Sequence, residues 1–171
     1  KVFVMDDHST DSTPDIIRAT DKCNYYRSPF VGLDEARDKT WLLGHITNYL
    51  LPSAFGPKSP HWVFQIDADE VLVPEDQSKF SQLGTALDHW SVQIFYLWDS
   101  PNAVRWDGHY AKCYRPSIFR LIRTDMEYRN HSSGLHPTGI PTTHISCEPR
   151  LHEPEPIRLL HYGYLDKVER E

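Results

Sequence analysis

Three groups of residues in this sequence have the types and spacing to do chemistry. The first is Asp67-Ala68-Asp69. In an extended backbone, residues two apart point to the same side, so two carboxylates there can converge on one hard cation. Mg²⁺ and Mn²⁺ favour carboxylate oxygen together with substrate phosphate. The plain alternative is an acidic turn on the surface. The second group is Asp6-Asp7-His8-Ser9-Thr10-Asp11-Ser12-Thr13, with three carboxylates and four hydroxyls after an apolar run. Capping of local backbone accounts for Asp11 and Thr13 but leaves the adjacent Asp6-Asp7 pair unexplained. The third is His161 in His161-Tyr162-Gly163-Tyr164. Neutral imidazole is an ordinary third ligand for a divalent ion, although a histidine at a strand end is more often structural.

The elements that must position these groups can be read from the apolar pattern. Val2 to Met5 predicts a buried strand closed by Asp6-Asp7. Thr13-Pro14 opens a short helix, with Thr as cap and Pro at the first helical position. Asn24 to Arg27 predicts a second strand. Leu33, Ala36, Leu43, Ile46 and Leu50 share one helical face, which predicts a long helix over 33–51, ended by Pro52. Trp62 to Ile66 predicts a third strand, closed by the acidic group at 67–70. This alternation predicts an α/β fold with a parallel sheet, crossover helices and both acidic clusters at the carboxyl ends of strands, where open α/β sheets bind ligands. Val92 to Trp98, Ile118 to Ile122 and Ile157 to His161 complete the predicted strands. Between the last two, residues 130–156 carry five prolines and four histidines and predict a long irregular, functional loop.

Composition narrows the classes. The 171 residues predict one domain with a real core. Net charge is −6, carried by residues 1–90 (8 basic, 14 acidic), while 91–171 balance at 10 and 10. An acid-rich half does not read as a nucleic-acid surface. No run is apolar enough to span a membrane. Three cysteines, Cys23, Cys113 and Cys147, without a CxxC, indicate neither a disulfide framework nor a thiolate zinc site, and a reducing, cytoplasmic setting is the expectation. The chain opens at Lys1 inside an apolar run and ends on charged residues without a cap. It is expected to be an excised domain lacking elements at both ends.

Taken in order, the strand followed by Asp6-Asp7-x-Ser9-x-Asp11-x-Thr13, the helix with Glu35-Ala36-Arg37-Asp38, Trp62 to Glu70, and Leu160-His161-Tyr162-Gly163-Tyr164 resemble family 2 glycosyltransferases, nearly over the whole chain. The resemblance implies a GT-A fold, a Rossmann-like, mostly parallel sheet flanked by helices and here lacking its first strand. It implies a nucleotide-sugar-binding half at 1–90 and an acceptor-binding half at 91–171. It implies a metal-dependent, inverting transfer from a nucleotide-sugar, most often a UDP-sugar, to a saccharide, lipid-linked or protein acceptor, as in polysaccharide biosynthesis. By position, Asp6 and Asp7 would meet the nucleoside, Asp7 contacting the base, and Arg37 would lie near the donor. Asp67 would face ribose and metal, Asp69 would ligate Mn²⁺ or Mg²⁺ under the diphosphate, and His161 would complete the metal site.

Arg37-Asp38 replaces the commoner Arg-Asn of that family. Leu135-His136-Pro137 lacks the Glu that some relatives carry as a base. Asp125, Glu127 and Glu148 are the candidates left, each also explicable as a solvated acid. Two other classes compete. A phosphoryl-transfer hydrolase would use the strand-end DxD but wants Gly-Thr after it, where this chain has Glu70-Val71. A non-catalytic nucleotide-sugar-binding module would keep the fold without turnover.

Asp7 as a base contact is testable. Uracil offers a ring N–H that cytosine lacks, and a buried acceptor left unpaired costs about 1–3 kcal/mol. UDP is expected to bind roughly tenfold tighter than CDP by calorimetry; equal affinities would remove Asp7 from the base site.

Overall fold

A computed structural model describes residues 1–54, 61–83, 87–121, 125–130, 139–142 and 156–164. They fall into two compact units. One comprises 1–59 and 121–143, the other 60–120 and 144–171.

The first unit is built on a strand–helix–strand turn. β1 (Val2–Asp6) and β2 (Cys23–Arg27) pair in parallel, with Val2 opposite Cys23 and Asp6 opposite Arg27. The crossover is α1 (Thr13–Ala19). Thr13 is already helical, so the cap position falls to Ser12, whose side chain makes no capping bond; the Asp11 carboxylate takes the Thr13 N–H instead, at 2.9 Å. The long helix α2 covers Glu35–Ala54. It runs through Pro52, which forfeits only a last-turn bond to the carbonyl four residues back, instead of stopping there. Ala36 and Leu43 are its buried apolar residues, and the Thr40 hydroxyl accepts the Tyr128 N–H at 2.8 Å. Trp41 and His45 pack edge-on in an aromatic group with Tyr26 and Phe30.

The second unit overturns the expected fold class. Its strands are β3 (Trp62–Phe64), β4 (Glu70–Leu72), β5 (His89–Tyr96), β6 (Cys113–Arg120) and β7 (Arg158–His161), in the order β3-β6-β5-β7-β4. Every neighbouring pair is antiparallel except β5–β7. The Rossmann-like, mostly parallel GT-A sheet implied by the resemblance is therefore not formed. Among the described residues, β1–α1–β2 forms a parallel crossover, in a separate two-stranded sheet. The physical reason is partner choice. β3 follows a helix, as a strand of a parallel sheet would, but it is only three residues long and pairs with β6, more than fifty residues downstream. The two acidic clusters accordingly follow strands of different sheets.

The core of this unit comes from alternate residues of the central strands. Val92 and Ile94 of β5, Ile118 of β6, and Ile157 and Leu159 before and within β7 are essentially inaccessible, with Leu83, Phe64 and Phe80 against them. A 3₁₀ helix over Pro74–Gln82 carries Asp76, which is 1% exposed. Its carboxylate clamps the start of β7. Oδ2 accepts the Arg158 backbone N–H at 2.8 Å and Nε at 2.9 Å, and Oδ1 accepts Nη2 at 2.9 Å. Lys79 adds an ion pair to Asp76 at 2.8 Å and donates to the Pro156 carbonyl at 3.0 Å. Two arms of the chain far apart in sequence are thus tied by charge-assisted bonds. Among the described residues no helix is long and apolar enough to cross a membrane.

Burial opposes ionisation of Asp76, but the bonds from Arg158 and Lys79 outweigh it and bring its pKa from 3.8 down to about 2. A carboxyl depressed in the folded state stabilises the fold above its unfolded pKa and ceases to do so as pH falls through the folded value. The contribution, about 2 kcal/mol, is expected to vanish between about pH 4 and pH 2. Asp76→Asn should lower the unfolding free energy at pH 7 by roughly 3 kcal/mol and flatten that acid limb in urea melts taken across the window. Parallel pH profiles for the two proteins would show that the clamp does not act this way.

Candidate metal and diphosphate site

The acidic tetrad at 67–70 is a tight turn between β3 and β4, not the extended segment expected, with the Glu70 N–H bonded to the Asp67 carbonyl at 3.1 Å. This turn sends the two aspartates of the DxD to different partners. Asp67 Oδ2 accepts Arg115 Nη1 at 3.0 Å. Asp69 Oδ2 lies 3.4 Å from His161 Nε2.

Glu70 holds the turn from below. Its side chain is fully buried. Oε2 accepts the Asp67 backbone N–H at 2.9 Å and Arg115 Nη2 at 2.6 Å. Oε1 is buried without a hydrogen-bond partner. Arg115 projects from β6, where Ser117 receives its Nε at 3.0 Å. One guanidinium therefore bridges two carboxylates, balancing one of their two charges, and its fork geometry is what permits this. Neither Glu70 nor Arg115 was among the residues expected from sequence. The only trace of them is a charged residue at an inward strand position on each of two segments 45 residues apart, which no local pattern connects.

His161 reaches Asp69 through sheet pairing. It stands opposite Glu70 in the antiparallel β4–β7 ladder and beside Tyr96 in the parallel β5–β7 ladder. Its carbonyl accepts the Leu97 N–H at 3.0 Å, and the next residue, Tyr162, donates its N–H to the Asp69 carbonyl at 2.8 Å. The ring is 18% exposed. It packs on Tyr96, with centroids 4.8 Å apart, and stacks on Tyr164 at 5.5 Å. Burial, aided by the Cys113 thiol, pushes the Tyr96 hydroxyl pKa upward, so Tyr96 stays neutral there.

Among the neighbouring aromatics, Tyr110 packs on Tyr96 and Tyr164, Trp98 on Tyr164, and Phe95 stacks on the exposed Trp106. Arg105 lies over the rings of both Trp98 and Tyr110, at 4.6 and 4.0 Å. Tyr114 is 38% exposed. Most of this segment is mutual packing.

The pair is spaced as two ligands of one divalent ion would be, and equally as a direct His–carboxylate contact. Two ligand atoms on one ion, with bonds of about 2.1 Å, lie about 3.0–3.4 Å apart, and Asp69 Oδ2 and His161 Nε2 are 3.4 Å apart. Among the described residues no group of three or more His, Cys, Asp and Glu is arranged to hold a metal. Two protein ligands leave the remaining positions to phosphate and water, which is how Mg²⁺ is usually held.

The other sequence candidates belong to the first unit. Asp6 is buried and occupied. Its carboxylate accepts the Ser9 N–H at 3.2 Å and the Tyr25 hydroxyl at 3.0 Å. Burial raises its pKa, but these bonds and the Arg27 charge prevail and hold it below the ordinary value. Asp7 is exposed. Between Asp6 and the loop at 28–33, His8 adopts a left-handed φ of 62°. It accepts from Arg27 at Nδ1 and so donates through Nε2 to the Phe30 carbonyl at 2.7 Å. Arg37 stacks on Phe30 at 4.3 Å, bonds the Gly32 carbonyl at 2.7 Å and pairs with buried Asp38 at 2.8 Å. Arg37 and Asp38, adjacent in sequence, thus form an ion pair.

Asp125 and Glu127 are exposed, Glu127 pairing with Arg129 at 2.6 Å. Glu148, Cys147 and Leu135-His136-Pro137 lie outside the described residues. Cys23 and Cys113 are free thiols. No protein-family model matches the chain, and no curated protein does so either.

The Glu70–Arg115 pair generates a test. Arg115→Met leaves a buried carboxylate without its cation and is expected to cost about 3–5 kcal/mol. Adding Glu70→Gln should restore a substantial part, because the buried charge is then gone. Urea melts of both single variants and the double variant measure this. Costs that simply add would show that the two side chains do not act as a pair.

Proposed function

We propose that this chain is a metal-dependent glycosyltransferase that moves a sugar from a nucleotide-sugar donor, a UDP-sugar, to the hydroxyl of a saccharide, lipid-linked or protein acceptor with inversion. The observation that carries the reading is the Asp69–His161 pair, 3.4 Å apart and drawn from segments 92 positions apart. The order of motifs resembling family 2 glycosyltransferases agrees with it.

In this reading Asp69 and His161 hold Mn²⁺ or Mg²⁺ through Oδ2 and Nε2. A divalent ion held there would supply charge to offset that developing on a departing nucleoside diphosphate. Arg115 offsets one of the two charges of Asp67 and Glu70, and the Glu70 carboxylate fixes the turn that carries Asp69. The roles given to Asp6, Asp7 and Arg37 rest on the resemblance alone. Asp6 already spends its carboxylate on Ser9 and Tyr25, which leaves Asp7 as the better base contact. The engagement of Asp67 by Arg115 weighs against the phosphoryl-transfer alternative, since a nucleophilic carboxylate at that position would be masked by a cation.

The test is calorimetry of UDP with and without Mn²⁺, followed by assay of nucleoside diphosphate release from a panel of nucleotide-sugars. Asp69→Ala should abolish the Mn²⁺-dependent part of UDP binding while leaving the circular dichroism unchanged. Wild-type affinity in that variant would remove Asp69 from the site. Release of inorganic phosphate in place of nucleoside diphosphate would favour a hydrolase.

A further inference from the structure

Gly163 lies two residues past His161, against both candidate ligands. A Cβ built on it would stand 2.5 Å from Asp69 Oδ2 and 2.7 Å from His161 Cε1. Its φ is outside the left-handed region, so an alanine backbone is not strained there; a side chain would instead push the Asp69 carboxylate or the His161 ring aside. Its N–H donates to His161 Nδ1 at 3.2 Å. An imidazole that accepts at Nδ1 carries its proton on Nε2 when neutral, and Nε2 is the atom that faces Asp69.

We propose that Gly163 is the positioning residue of the metal site: its lack of a side chain lets Asp69 and His161 converge, and its N–H sets the His161 tautomer that an incoming ion must reverse. The proposal rests on the reading of Asp69 and His161 as ligands. The consequence is a coupled step. For Nε2 to bind a metal, its proton must leave and one must be present on Nδ1, so the imidazole stays neutral with its tautomer exchanged. Nδ1 is then a donor facing the Gly163 N–H, and that hydrogen bond is lost. Loading at Nε2 would therefore cost the bond that the Gly163 N–H makes to the ring.

Two measurements test this on the whole chain. The first is the Mn²⁺ concentration that half-saturates UDP binding, for wild type, Asp69→Ala and Gly163→Ala. Gly163→Ala is expected to raise it at least tenfold. If Asp69→Ala leaves it unchanged, or the wild type shows no Mn²⁺ dependence, the metal reading and this inference fall together. If Asp69→Ala raises it and Gly163→Ala does not, only the role of Gly163 falls. The second needs no variant. Nitrogen-15 imidazole spectra of the wild type should place the His161 proton on Nε2 without metal and on Nδ1 with saturating Mg²⁺ and UDP. A proton on Nδ1 in the metal-free protein, or an unchanged tautomer on loading, overturns the proposal.

Discussion

The register of β7 is the constraint on which the site depends. Side chains alternate along a strand, so a slip of one residue would carry His161 to the opposite face. Two devices prevent the slip. Ile157 and Leu159 are wholly buried on the same alternation as His161. At the start of the strand, Asp76 takes both the backbone N–H and the guanidinium of Arg158, while the Val73 N–H bonds the Arg158 carbonyl. An ion pair to the buried Asp76, made three residues before the histidine, thus sets where the histidine stands. The strand is short, four residues, and its two neighbours run in opposite senses. Hydrophobic burial alone gives such a strand few contacts with which to choose a register.

At the other end of β7 the same logic applies to charge. The turn at 67–70 carries three acids within four residues, and two of them are spoken for by Arg115. A buried carboxylate is tolerated only with a partner of opposite charge and filled hydrogen-bonding positions. Glu70 meets the first condition and only half of the second, since Oε1 has no partner. Asp69 is left on the outer side of the turn, where its carbonyl is bonded by the Tyr162 N–H and its carboxylate faces His161. The backbone bond and Gly163 together bring the two turns close enough for the side chains to meet.

Tyr96 and Tyr164 wall the imidazole with apolar ring surface. A histidine packed this way has few orientations, which lowers the ordering cost of using it as a ligand. Arg105, lying over Trp98 and Tyr110 and paired to Asp107, closes the same aromatic group without contributing net charge.

The sequence by itself determined the local elements: the β1–α1–β2 turn, the body of α2 and the approximate positions of β5 and β7. Apolar periodicity and Pro14 report on backbone within a few residues, and that information is local. It also singled out Asp69 and His161, because acids and a histidine beside short apolar runs stand out in any context. Tertiary structure alone decided how the strands pair. A run such as Trp62–Phe64 is apolar whether its neighbour is parallel or antiparallel, and its choice of β6 is an energy shared with residues more than fifty positions away. The separation of Asp67 from Asp69 has the same origin. Their spacing was legible, but Arg115 and Glu70, which draw Asp67 away, become its neighbours only when β6 and β4 join the sheet. Charges buried by folding choose their partners in space, where low dielectric makes an unpaired carboxylate costly, and a linear chain carries no mark of which partner that will be.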